Sequence, residues 1–150
     1  MRLAYLVFTA LLLPSLISAQ ALKRIPVEIS GAQFNCELAN TPESISKGLM
    51  YRTELAADEG MLFALPYPSP WAFWMKNTLI PLDMIWLNSS KKVIHMVENA
   101  QPCTQANCPV FSPPFKTNAT YVLEISGGLS QTHHISLGTQ INFETKEAQS

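Results

Sequence analysis

The segment FWMKNTLIPLD, residues 73–83, holds the densest set of side chains able to do chemistry. Lys76, Asn77 and Thr78 end an apolar stretch, and Asp83 follows after a proline-bearing turn. Arg52 and Glu124, the latter inside the apolar run TYVLEIS, complete a candidate cluster. Two chemistries are open to it. In one, Asp83 or Glu124 acts as a general base while Lys76 and Arg52 hold an anion, with Asn77 and Thr78 as binding contacts. In the other, Arg52, Asp83 and Glu124 pair with each other or with backbone groups and fix the fold. The second is favoured, because buried charges are normally paired. A glycosidase would need the two carboxylates either roughly 5 Å or roughly 6.5–9.5 Å apart, a distance only the fold can supply. The chain has no Gly-x-Ser-x-Gly elbow and no glycine-rich phosphate loop, which removes several common enzyme classes.

Aromatic side chains form a second group: Tyr67, Trp71, Phe73, Trp74 and Trp86 crowd around the PYPSP segment, residues 66–70. On an exposed face they would make a stacking platform for a sugar ring or a proline-rich peptide. Strand alternation sends Trp71 and Phe73 one way and Trp74 the other, so part of the set must face the core. Trp71, beside the loop, is the expected exposed contact. The methionines Met50, Met61, Met75, Met84 and Met96, with His95 or His133, could supply soft ligands for cuprous copper. Each methionine lies in an apolar segment where gap-filling accounts for it, so no metal site and no cofactor is expected.

The elements that must position these groups are short. Val27 and Ile29 begin a period-two alternation that the segment from Ala32 to Ala39 repeats, with Cys36 on its apolar side as a buried, inert thiol. Thr41-Pro42-Glu43 reads as a helix start, and the helix is expected to run through ISKGLMYR with Gly48 inside it. GMLFAL, residues 60–65, reads as a buried strand and PYPSP as a loop. WAFWMKN, LDMIWLN and KVIHMVEN read as three further strands, with a hairpin turn at Asn88-Ser89-Ser90. TYVLEIS is another strand, a short helix covers Leu129 to His134, and residues 140–144 close the domain. Eleven prolines argue against a helical bundle. The pattern predicts a mostly β (α+β) domain, a compact antiparallel β-sandwich or barrel with one or two short helices.

The chain opens with Arg2, an apolar run from Leu3 to Leu13, and small residues around Ala19 and Ala21. Residues 1–21 therefore read as a signal peptide, and residues 22–150 as a single domain. The apolar run is short against the roughly 20 residues of a spanning helix, so a membrane is met only through the leader if it is not cleaved. The expected location is periplasmic or extracellular. In such an oxidising place Cys103 and Cys108, in the proline-rich QPCTQANCPVFSPPF, read as a structural disulfide that pins a loop. A net charge of -1, with charged residues only 14% of the chain, lacks the basic footprint of a nucleic-acid binder.

Several motifs resemble those of the bacterial and archaeal family called domain of unknown function 192. They are Gly48-Leu49-Met50-Tyr51-Arg52, Gly60-Met61-Leu62-Phe63, Phe73-Trp74-Met75-Lys76-Asn77-Thr78 and Pro81-Leu82-Asp83. Ala100-Gln101-Pro102-Cys103, Cys108-Pro109 and Tyr121-Val122-Leu123-Glu124 fit as well. The resemblance runs from about Val27 to Phe143 and implies a compact, mostly β fold. It brings no catalytic residue with it, and Gly138-Thr139 stands where members often carry Gly-Asp. Together these readings give a non-catalytic module of the cell envelope that binds a ligand or a protein. The alternatives are an envelope hydrolase using Asp83 or Glu124 with Lys76 and Arg52, and a soft-metal (copper) binding protein.

Overall fold

The structure is a computed structural model that describes residues 21–145. All but the last residue of the expected leader lies outside the described residues. Among the described residues, no helix is long and apolar enough to cross a membrane.

Seven strands build one sheet. β1 (Arg24–Ile29) buries Ile25, Val27 and Ile29 and exposes the residues between them. A tight turn at Ser30-Gly31 leads into β2 (Ala32–Ala39), which pairs antiparallel with β1. Thr41 then caps α1 (Pro42–Lys47): its hydroxyl accepts the Ser44 N–H, and the Ser44 hydroxyl accepts the Thr41 N–H in return. Gly48 ends this helix with φ +47, a conformation that strongly favours glycine, and a Cβ there would meet the Phe63 ring at 3.4 Å. The helix expected to continue through Arg52 therefore stops a turn early, and the chain bends over the sheet.

β3 (Glu59–Ser69) lies parallel to β2, pairing Asn35 with Glu59 and Ala39 with Phe63. This is the one parallel ladder between the strands of a sheet that is otherwise antiparallel. PYPSP is also no loop: β3 runs through it to Ser69, with a register shift between Ala64 and Ser69. Its prolines are tolerated because β2 has already ended at Ala39 and the ladder with the next strand is interrupted there.

WAFWMKN contributes only β4 (Phe73–Trp74), which pairs with β7 (Val110–Phe111) in a small second sheet. The turn over Lys76 to Thr78 cuts the expected longer strand short, since Asn77 takes φ +56. β5 (Leu82–Leu87) and β6 (Val93–Ala100) form the expected hairpin, whose turn the Asn88 side chain closes by accepting the Ser90 and Lys92 N–H groups. β8 (Ala119–Ser126) lies between β5 and β3, α2 (Leu129–Thr132) follows it, and β9 (Ile141–Phe143) pairs with β1.

The sheet order β6-β5-β8-β3-β2-β1-β9 curls into a half-barrel. Its two ends meet where the Val93 N–H donates to Thr139 O and the Ile141 N–H to Lys91 O. The enclosed face carries one apolar cluster, including Val27, Phe34, Cys36, Leu62, Ile85 and Leu123. The outer face carries a second, including Met61, Phe63, Met75, Met84, Trp86 and Val122, covered by the α1 segment and the small sheet. Every residue of β5 is buried. Burial also pushes the Cys36 thiol up to about 12, so it is inert as expected. The disulfide between Cys103 and Cys108 is formed.

Gly60 lets β2, β3 and β8 approach: an added Cβ would sit 2.7 Å from the Glu124 carbonyl oxygen and 3.1 Å from the Cys36 sulfur. Backbone cannot yield as a flexible side chain does. Gly60→Ala should therefore lower the unfolding free energy by roughly 1–3 kcal/mol in urea titrations, the cost of overpacking a tight site.

Candidate functional site

Arg52 leaves the turn after α1 and spends its charge locally. Its guanidinium pairs with Glu37 on β2, which also accepts from Arg24 at 3.1 Å, while Arg24 reaches Glu59. The Arg24 side chain holds the Glu59 carboxyl below its ordinary range. These pairs are partly exposed and worth little each, but they leave Arg52 committed to a carboxylate. This is the favoured structural pairing of Arg52, in place of the anion-binding alternative.

Asp83 is also committed. Opposite Ile125 on β8, it points to the enclosed face and has no solvent exposure. One carboxyl oxygen accepts the Asn99 and Gly128 N–H groups at 2.7 and 3.0 Å. The other accepts the Ser130 N–H at 2.7 Å and the Ser130 hydroxyl at 2.6 Å. A carboxylate so supplied with donors is a structural group that ties β5 to the end of β6 and the start of α2. Ser130 and the backbone of Asn99 were not legible as its partners, because neither is near it in sequence. Nearby, the Thr139 hydroxyl accepts the Ser136 N–H at 3.0 Å and so closes the turn before β9.

Glu124 behaves differently. In register with Met61 and Met84, it points to the outer face, so the two carboxylates lie on opposite sides of the sheet. The carboxylate pair that a glycosidase requires is not assembled. Glu124 is only 4% exposed, and its carboxyl forms no hydrogen bond with any described residue. Burial without a partner pushes it up to about 8, so it carries its proton at neutral pH. It lines a cavity of about 30 Å³, room for one small polar group, together with Gly48, Leu49, Phe63, Trp74 and Thr78. Thr78, also 4% exposed, has no hydrogen-bond partner for its hydroxyl among the described residues.

The rim is built from two turns. Tyr51 and Asn77 both take positive φ, +65 and +56, and hold each other there. The Tyr51 N–H donates to Asn77 O at 2.8 Å, and the Asn77 side-chain amide donates to the Tyr51 hydroxyl at 2.9 Å. Cys103 anchors the pair, since its carbonyl accepts the Asn77 N–H at 2.8 Å and it bridges to Lys76 and Thr78. The disulfide thus braces the turn that carries Thr78. Trp74, 49% exposed, is the open tryptophan at this rim, with the Lys76 ammonium 5.6 Å from its ring centre.

Trp71 is not the expected open contact. It is half-buried, its indole donates to Tyr67 O at 2.8 Å, and its carbonyl accepts the buried Trp86 indole at 2.9 Å. That last bond ties the Trp71 backbone to the core, because a buried indole N–H needs an acceptor. The structure brings together Glu124, Thr78, Trp74 and the turn from Gly48 to Tyr51, with Asn77 and Lys76 at the edge. Asp83 and Arg52 stand apart. Of the methionines considered, Met61, Met75 and Met84 are core residues, and Met50 and Met96 are half-buried. Among the described residues, no three His, Cys, Asp or Glu side chains converge as a metal site would need.

A family model described as uncharacterized ACR, DUF192, matches residues 25–143. A solved structure of a candidate transcription regulator from Sinorhizobium meliloti 1021 is 32% identical, with a TM-score of 0.75, over 83% of this chain and 96% of that one. A protein of unknown function from Novosphingobium aromaticivorans DSM 12444 is 37% identical, with a TM-score of 0.74, over 81% of this chain and 86% of that one. No match was found among curated proteins.

The two buried acids should respond oppositely to amidation. Asp83→Asn faces an amide against backbone donors and should cost roughly 2–3 kcal/mol of stability. For Glu124 the folded chain keeps its proton until pH about 8, whereas the unfolded chain loses it from 4.5. Wild-type stability should therefore fall by a few kcal/mol as pH rises through that window, and Glu124→Gln should escape the fall. Chemical denaturation of both variants between pH 4 and pH 9 measures it.

Proposed function

The chain belongs to the DUF192 family, and from the site its fold builds here we propose a non-catalytic binding module of the cell envelope that takes a small uncharged polar group of its ligand between Glu124 and Thr78. The carrying observation is Glu124, 4% exposed, whose carboxyl opens on a cavity and has no hydrogen-bond partner among the described residues. A buried polar group left unpaired costs stability, and a ligand that completes its hydrogen bonds recovers that cost. Exposed Trp74 beside the cavity adds apolar contact area, as binding pockets commonly do.

Catalysis has less behind it. A hydrolase of the kind considered above would lean on Asp83, which is saturated with donors, and on Arg52, which is paired. An exported location is supported by the leader sequence of residues 1–21 and by the Cys103–Cys108 disulfide. The regulator name of one relative does not guide the reading, since a net charge of -1 supplies no excess of positive charge for phosphates.

Amide-resolved NMR of residues 22–150, titrated with neutral oligosaccharides and proline-rich peptides, tests the reading. Shifts are expected at Gly48 to Tyr51, Thr78 and the Trp74 indole, and Glu124→Leu should abolish them. Shifts confined to other surfaces, or turnover of a ligand that depends on Glu124, would sink it.

A further inference from the structure

What the cavity asks of a ligand can be read from its donors and acceptors. A protonated carboxyl both donates and accepts, and so does the Thr78 hydroxyl. The cavity of about 30 Å³ admits one small group to meet both. A peptide carbonyl can accept from both side chains but offers no hydrogen to their oxygens, and a peptide N–H offers one hydrogen and accepts none. A hydroxyl does both from a single oxygen.

Charge narrows the choice further. Lys47 lines the same cavity and Lys76 stands at Trp74, and neither makes an ion pair among the described residues, so an incoming ammonium would meet two cations. Those ammonium groups would draw an anion to the opening, but the wall beside Glu124 is apolar Leu49 and Phe63 and Arg52 is held by Glu37, so a neutral group suits the inner position best. Around the opening, Trp74 offers a half-exposed ring, and the Tyr51 hydroxyl, exposed and accepting from Asn77, still has its own hydrogen to donate.

We propose that the ligand is a neutral sugar, one hydroxyl of which enters between Glu124 and Thr78 while the ring lies against Trp74. This rests on reading the site as a binding site. The C–H face of the sugar would cover the indole, and its remaining hydroxyls would meet Lys76, Tyr51 and Asn77 at the rim.

Glucose, N-acetylglucosamine and their β-linked oligomers are the probes, followed by indole fluorescence and by NMR shifts of the mature chain. Saccharide binding should move the Trp74 indole and Thr78 signals. Trp74→Ala and Glu124→Leu should each weaken it by about tenfold or more, the loss of roughly 1.4 kcal/mol. Glu124→Gln, which keeps a donor and an acceptor, should bind within a few fold of wild type, and this variant guards against a misfolded Glu124→Leu. Wild-type affinity should fall as pH passes about 8, where Glu124 ionises, while that of Glu124→Gln stays level. If no saccharide binds, or if binding ignores Trp74→Ala and Glu124→Leu, the sugar assignment is overturned. Proline-rich peptides shifting the same residues would overturn it too, yet would keep the binding reading. Silence of the site to both classes removes both.

Discussion

β5 and β8 lie in the middle of a sheet that is covered on both faces, so a side chain on either strand leaves water whichever way it points. Each strand nevertheless carries a carboxyl group. Burying an acid is tolerable in two ways: supply its oxygens with donors, or keep it neutral. The protein uses one on each side of the sheet. On the enclosed face, Asp83 collects three N–H groups and a hydroxyl and becomes a tie between β5, β6 and α2. On the outer face, Glu124 finds no donor between Met61 and Met84 and stays neutral.

That difference decides where a ligand could matter. Asp83 has nothing left to offer, and removing any of its donors would harm the fold before it changed recognition. Glu124 is the reverse: its hydrogen-bonding capacity is intact, and the elements above it leave a small space instead of closing on it. The surrounding parts also share supports. Cys103 holds Asn77, Asn77 holds Tyr51, and Gly48 lets the chain pass close over Phe63. The disulfide loop and the turn after α1, far apart in sequence, thus shape the two sides of one opening.

Much of the sheet was legible because strand alternation is a local signal. Val27 and Ile29, and Phe34 and Cys36, sit as their period-two pattern implies, and the apolar runs LDMIWL and TYVLEIS form the strands read from them. The Thr41 cap was equally local. What failed depended on neighbours distant in sequence. Pro66 and Pro68 look like loop residues until the early end of β2 removes the partner they would have offended. Gly48 reads as a helix interior because nothing local declares its positive φ. Alternation separates Trp71 from Trp74 without saying which faces solvent; Trp71 packs against the outer cluster beside Tyr67, and Trp74 is left exposed. Asp83 and Glu124 could be joined on paper, since only the register of β5 against β8 reveals that they point apart.

The parallel ladder between β2 and β3 has a consequence of its own. After Ala39 the chain must return to the level of Asn35 before β3 can begin at Glu59, and a parallel pair needs a crossover of about a dozen residues or more to do this. Here that crossover, residues 40–58, is also the roof of the opening, with α1, Gly48 and Tyr51 along it. It is a span with both abutments fixed, not an appendage. Evolution and protein engineers alike can repaint its side chains, but trimming it would pull β2 from β3. Specificity in this fold can therefore drift by substitution at nearly constant span length, and a graft of foreign residues belongs within the crossover, not in place of it.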